Sequence, residues 1–269
     1  MPSYAVTGTS RGLGLEFVKQ LSQNANNTVF AIVRNPDSAT NLQTLAKQRP
    51  NVHIVKADIT DPQSLVSAAA EISKETNGIL DVLINNAVST NPAAGAVPPS
   101  QIPLDVAATR DFFKAAYESS LYGAIWTTNA FLPMIESGKE KKIIHISTGI
   151  ADARVIKGTG VTAAVDYAVA KGAMNILVAK YAAELEPKGI KVVALSPGWV
   201  DTYAGPTPKP AEILGVEAYI LQSFQKIWPN LKGQIQPEES IKMVLNVIEN
   251  LTTEQSGLMI SHHGNEEWI

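Results

Sequence analysis

The chain has no cysteine in its 269 residues. Disulfides and thiolate metal sites are therefore excluded, and the composition suits a reducing compartment. It also lacks an excess of basic charge. The formal net charge is -3, which argues against a nucleic-acid surface. No stretch approaches the ~18 apolar residues of a membrane span. The first residues, Met1-Pro2-Ser3-Tyr4-Ala5-Val6-Thr7-Gly8, carry no basic segment followed by an apolar run, so no signal peptide is expected. A cytoplasmic protein with no membrane and no nucleic-acid partner is the expectation. What the chain does have is 45% apolar residues, enough to bury one large core.

Strand-like and helix-like runs alternate along it. Tyr4–Val6, Val29–Val33, Val52–Val55, Leu80–Ile84, Lys142–Ile146, Lys191–Leu195 and Leu258–Ile260 read as strands. Helices are expected from about Gly12, over Asp37–Gln48, after Asp61 as cap with Pro62 at the first position, over about Asp105–Met134, and over Val165–Glu186. Two more precede the last strand. Near-continuous Val/Ile/Leu strands between amphipathic helices predict an α/β fold: a Rossmann-like, doubly wound parallel sheet with helices on both faces. One domain over residues 1–269 is expected. Ser89–Pro103 is irregular, and the proline-rich 206–210 segment reads as part of a loop over the site.

Thr7-Gly8-Thr9-Ser10-Arg11-Gly12-Leu13-Gly14 sits between the first strand and the first helix. Glycines there let the backbone approach a diphosphate, and the helix start offers free N–H donors. The spacing is wider than GxGxxG, and an ordinary strand-to-helix turn is the plain alternative. Arg34 ends the second strand, where an acid would suit a ribose 2′-hydroxyl and an arginine suits a 2′-phosphate. With Arg11 as a second cation, NADP(H) is expected over NAD(H). Asp58, after the third strand, suits the adenine amino group or a plain turn. Asn85-Asn86-Ala87 lies at the carboxyl edge after the fourth strand, suited to a ribose or to an Asn-rich turn.

Tyr167-Ala168-Val169-Ala170-Lys171 puts a phenol and an ammonium on one helix face. A free tyrosine titrates near pH 10. A nearby ammonium and a bound nicotinamide's charge lower that value, so Tyr167 can pass a proton to or from a carbonyl oxygen. Ser147 and Thr148 end the fifth strand and can orient that oxygen. Asp166 reads as a solvated helix carboxylate, His262-His263 as surface residues and His145 as structural.

With TGTSRGLG, Asp58, Asn85-Asn86-Ala87, Tyr167/Lys171 and Ser196-Pro197-Gly198-Trp199-Val200-Asp201-Thr202 in this order, the chain resembles a short-chain dehydrogenase/reductase over almost its whole length. Gly12-Leu13-Gly14-Leu15-Glu16, Val33-Arg34-Asn35-Pro36 and Trp268 look most like the carbonyl-reductase and C-factor-like branch, which includes fungal ketoreductases. The resemblance implies a sheet of about seven strands and reversible hydride transfer between NADP(H) and a carbonyl or alcohol substrate. It implies that Gly8, Ser10, Arg11, Leu13, Asp58, Asn86, Val200 and Thr202 line the cofactor. Gly12, Gly14, Arg34, Ile59, Ala87, Pro197 and Gly198 are expected beside them, with Tyr167 as acid/base and Lys171 as its electrostatic helper. It also implies a substrate lid over about 203–236, with Phe224, Ile227 and Trp228 as apolar contacts, and pairing into a homodimer or homotetramer.

The sequence departs from the family pattern in several places. Ser120 stands where the family has the asparagine of a proton relay. Thr148 stands for the substrate serine, with Ser147 before it. Val88 replaces a glycine, which narrows backbone freedom. The run from Ser147 to Tyr167 is longer than usual in the family, which is expected to reshape the pocket entrance. A member repurposed for non-redox chemistry, and a redox-sensing binding module, are the competing readings.

Overall fold

Seven strands form one parallel sheet in the computed structural model, which describes residues 1–203 and 207–269. They are β1 (Ser3–Thr7), β2 (Thr28–Val33), β3 (Val52–Lys56), β4 (Val82–Asn85), β5 (Lys142–Ile146), β6 (Lys191–Ser196) and β7 (Met259–Ser261), in the order β3-β2-β1-β4-β5-β6-β7. Pro206 of the proline-rich segment and part of the expected lid lie outside the described residues. The order reverses at β1, which pairs with both β2 and β4. Ligands of such sheets bind beyond the strands' carboxyl ends at that reversal.

Alternate strand residues face two core layers. On one face Val6, Ala31, Ile84, Ile144 and Leu195 meet Phe17, Val18 and Leu21 of α1 (Gly12–Leu21), Leu42 of α2 (Thr40–Gln48), and Ile241 and Val244 of α9 (Pro237–Glu249). On the other, Ala5, Ile32, Leu83, Ile143 and Ala194 meet Leu65 and Ile72 of α3 (Pro62–Thr76), Phe131 of α5 (Gly123–Ser137), and Met174 and Val178 of α7 (Val165–Leu185). Burial on both faces is why the strands read as unbroken apolar runs. Asp61 caps α3 as expected, accepting from the Gln63 and Ser64 amides at 3.0 and 3.3 Å.

Several boundaries differ from expectation. The strand expected from Leu80 begins at Val82, because the Asp81 carboxylate is committed to the Ser3 and Lys139 amides, each at 2.8 Å. The helix expected from Asp37 is a short turn, Pro36–Ser38, followed by α2, since the Asn35 side chain caps the turn at Asp37 (3.1 Å). The long helix expected over Asp105–Met134 is α4 (Val106–Tyr117) and α5 joined by a π-helical turn, Glu118–Tyr122. There the Ser119 hydroxyl donates back to the Ala115 carbonyl (2.8 Å) and accepts from the Ser89 amide (2.9 Å). Such back-bonding competes with regular helix geometry. Two further helices, α6 (Ala153–Thr159) and α8 (Ala211–Phe224), flank the site.

Candidate active site

The glycine turn is shaped by close backbone approach. Gly8 lies at φ +72°, and a Cβ added there would stand 2.7 Å from the Ala87 Cα. At Gly14 an added Cβ would stand 2.2 Å from the Gly8 carbonyl oxygen. The Asn86 side chain pins this turn, donating to the Thr7 carbonyl at 2.9 Å, while the Asn86 and Ala87 amides donate to the Thr7 hydroxyl. The first helix thus begins against the end of β4. Val88 adopts no left-handed backbone, so the narrower backbone freedom brings no strain here.

A cleft of about 890 Å³ runs along this edge. It brings together Gly8, Ser10, Arg11, Gly12, Leu13, Gly14, Arg34, Asp58, Ile59, Asn86, Ala87, Tyr167, Lys171, Pro197, Gly198, Val200 and Thr202, with Ser147 and Thr148. Arg11 and Arg34 are exposed. The Asp58 Oδ1 accepts from the Thr60 amide and hydroxyl at 2.9 and 2.8 Å, so the turn role is present and its second oxygen is the one left for a ligand. Thr60, Ser89, Thr90, Ser119, Trp199 and Tyr203 also line the cleft; their polar or apolar types gave no motif to find them by.

At the chemical end, Lys171 is buried, its ammonium 5.9 Å from the centre of the Tyr167 ring and donating to the Ile146 carbonyl at 2.6 Å. Burial pushes the Lys171 ammonium down to about 8. Burial pushes the Tyr167 phenol up to about 12, with a side-chain hydrogen bond to Thr148 working the other way. In the protein by itself desolvation of the phenolate therefore outweighs the lowering that the sequence predicts from Lys171. The Ser147 hydroxyl is turned away, 2.7 Å from the Asn175 Oδ1. Thr148 is thus the hydroxyl left beside Tyr167. Ser120 lines a separate gap of about 10 Å³ with Asn85 and Lys171, and its Oγ is buried without a hydrogen-bond partner.

Tyr167 and Thr148 also border a second chamber of about 240 Å³. Its walls include Trp199, Ile220, Phe224, Trp228 and Trp268, with Val155 and Val161. Phe224 and Trp228 fall where the lid reading put them. Ile227 does not: it is partly exposed, facing an outer groove and Gly158. The Ser147–Tyr167 run contributes Gly149, Ile150, Val155 and Val161 to this chamber; Trp268 carries no such signal in the sequence, because no single segment builds the chamber.

Two residues read as solvated are buried. Asp166 is 1% exposed, in the first turn of α7. His262 is 4% exposed, its ring behind Gly198, where an added Cβ would stand 2.8 Å from the ring. The Ser240 hydroxyl holds the neighbouring Pro197 carbonyl at 2.7 Å. His145 is fully buried, as its mid-strand place implies. No helix among the described residues is long and apolar enough to cross a membrane.

Comparison with known proteins agrees with this geometry. The family model described as short chain dehydrogenase matches residues 3–210. A short-chain dehydrogenase/reductase of Arthrinium sp, atnB, is 44% identical over 100% of both chains. AacuF of Aspergillus aculeatus, also a short-chain dehydrogenase/reductase, is 40% identical over 100% of both. Among solved structures, the NADPH-bound carbonyl reductase from chicken fatty liver superposes with a TM-score of 0.78 at 29% identity, over 98% of each chain.

Proposed function

Because this chain belongs to the short-chain dehydrogenase/reductase family, we propose that it is an NADPH-dependent reductase converting a ketone or aldehyde to an alcohol. The observation that carries the reading is the shared border: Tyr167 and Thr148 line both the long cleft and the apolar chamber. A carbonyl lodged between the two reaches the phenol and the threonine hydroxyl together.

The residues fit a 2′-phosphorylated nicotinamide dinucleotide. Gly8 and Gly14 leave no room for a side chain, a tight turn that suits a diphosphate, and Arg11 and Arg34 offer guanidinium groups to a 2′-phosphate. Asp58, Ile59, Asn86 and Ala87 would flank the adenine and ribose, and Pro197, Gly198, Val200 and Thr202 the nicotinamide. When bound, that group supplies the hydride. Thr148 orients the carbonyl oxygen, Tyr167 gives it a proton, and Lys171 holds positive charge beside the phenolate that remains. A phenol pushed up to about 12 is protonated at neutral pH, which favours the donor role. The resemblance of the solved NADPH-bound carbonyl reductase supports both cofactor and direction.

The test is loss of NADPH absorbance with a panel of ketones and aldehydes, and alcohol formed in equal amount. Product made without NADPH consumed would overturn the reading.

A further inference from the structure

We propose that Trp268 sets substrate choice, as the flat wall on which an uncharged aryl ketone stacks; this rests on the carbonyl-reduction reading above. The chamber holds no charged side chain among its lining residues. At about 240 Å³ it falls below the 300–1,000 Å³ of drug-sized pockets, so it takes one or two rings. Trp199, Phe224 and Trp228 pack edge to face, with centroids 5.5 and 5.7 Å apart, and so brace one another. Trp268 enters no such pair among the described residues. It lies instead against Gly149, where an added Cβ would stand 3.4 Å from the Trp268 Cβ and 3.6 Å from its Cγ. That is one residue from Thr148, and Trp268 borders the chamber beside Tyr167.

The run between Ser147 and Tyr167 holds this indole. Asp152, which caps α6, lies beside the Trp268 side chain. Arg154 bridges Asp152 at 2.7 Å and Glu266 at 2.8 Å. Arg154 and Glu266 are well exposed, 67% and 64%, so their pair alone is weak. The buried indole, packed at Gly149, is the stronger part of the clasp.

Steady-state NADPH oxidation with α-tetralone and with butanone tests this in the wild type, Trp268→Leu and Trp268→Phe. Leucine keeps apolar bulk without a flat face, and NADPH affinity reports that the variants are folded. KM for α-tetralone should rise about tenfold in Trp268→Leu, the order expected for one lost aromatic contact. It should stay near wild type in Trp268→Phe, with butanone little changed in either. An equal change for both ketones, or none, overturns the inference. If the wild type consumes NADPH with neither ketone and with no member of the wider ketone and aldehyde panel, the reduction reading fails. The wall is then judged by α-tetralone quenching of indole fluorescence: weaker quenching in Trp268→Leu than in Trp268→Phe upholds it, and equal quenching sinks it.

Discussion

Tyr167 is held as an acid by its burial, and Lys171 is held near its titration point by its own. Tyr167→Phe removes only the hydroxyl. NADPH binding should persist while kcat drops by roughly 10²–10⁴-fold, the usual weight of a general acid; an unchanged kcat would remove Tyr167 from the reaction. The lysine predicts a pH profile. With its value pushed down from 10.5 to about 8, Lys171 is charged below that pH and neutral above it. Reductive kcat/KM should therefore hold level through neutral pH and fall above about 8, and a profile still flat beyond 9 would exclude the role. Arg34 gives a third residue-scale expectation. A guanidinium–phosphate bond is worth about 1.5–3 kcal/mol, so Arg34→Ala should lower kcat/KM for NADPH by roughly tenfold to a hundredfold and leave NADH nearly untouched. An equal loss with both cofactors would place Arg34 outside the 2′-phosphate site.

At the scale of elements, the joint between α4 and α5 is where helix geometry and chemistry meet. The π turn there brings Ser120 against Lys171 and Asn85, around a gap close to the size of a single water. The Ser120 hydroxyl bonds nothing in the protein, so Ser120→Ala should leave the melting temperature unchanged or slightly higher. If Ser120 takes over the relay role of the family's asparagine, kcat should nevertheless fall several-fold, and unchanged turnover would dismiss that role. The π turn was not legible in the sequence, since one extra residue in a helix leaves the apolar period almost intact. The strands were, because burial on two faces writes itself as uninterrupted Val/Ile/Leu. So were the glycine turn and the Tyr167/Lys171 pair, whose geometry is local. α6 escaped notice, being seven residues long. The chamber escaped because Gly149, Phe224 and Trp268 meet only in the folded chain.

The whole molecule carries one buried imidazole where its mid-strand place implied it and one where the sequence suggested solvent. His145 lies in β5 and His262 behind the Pro197–Gly198 turn. Burial, with the Lys171 charge, pushes His145 down to about 3, and burial, with His263, pushes His262 down to about 4. Both are lowered from 6.5, so the unfolded chain binds protons that the fold refuses. The sign follows: stability is full above about pH 6.5 and is lost as pH falls toward 3 to 4, by as much as about 1.4 kcal/mol per pH unit for each ring. Domains of this kind have only about 5–15 kcal/mol in hand, so the loss is large enough to measure. Urea midpoints should decline steadily from pH 6.5 to 4.5. His262→Asn, which cannot take up a proton in that range, should flatten the slope by roughly half. A slope identical to wild type would mean that His262 is not buried as a neutral ring, and that Gly198 is supported by something else.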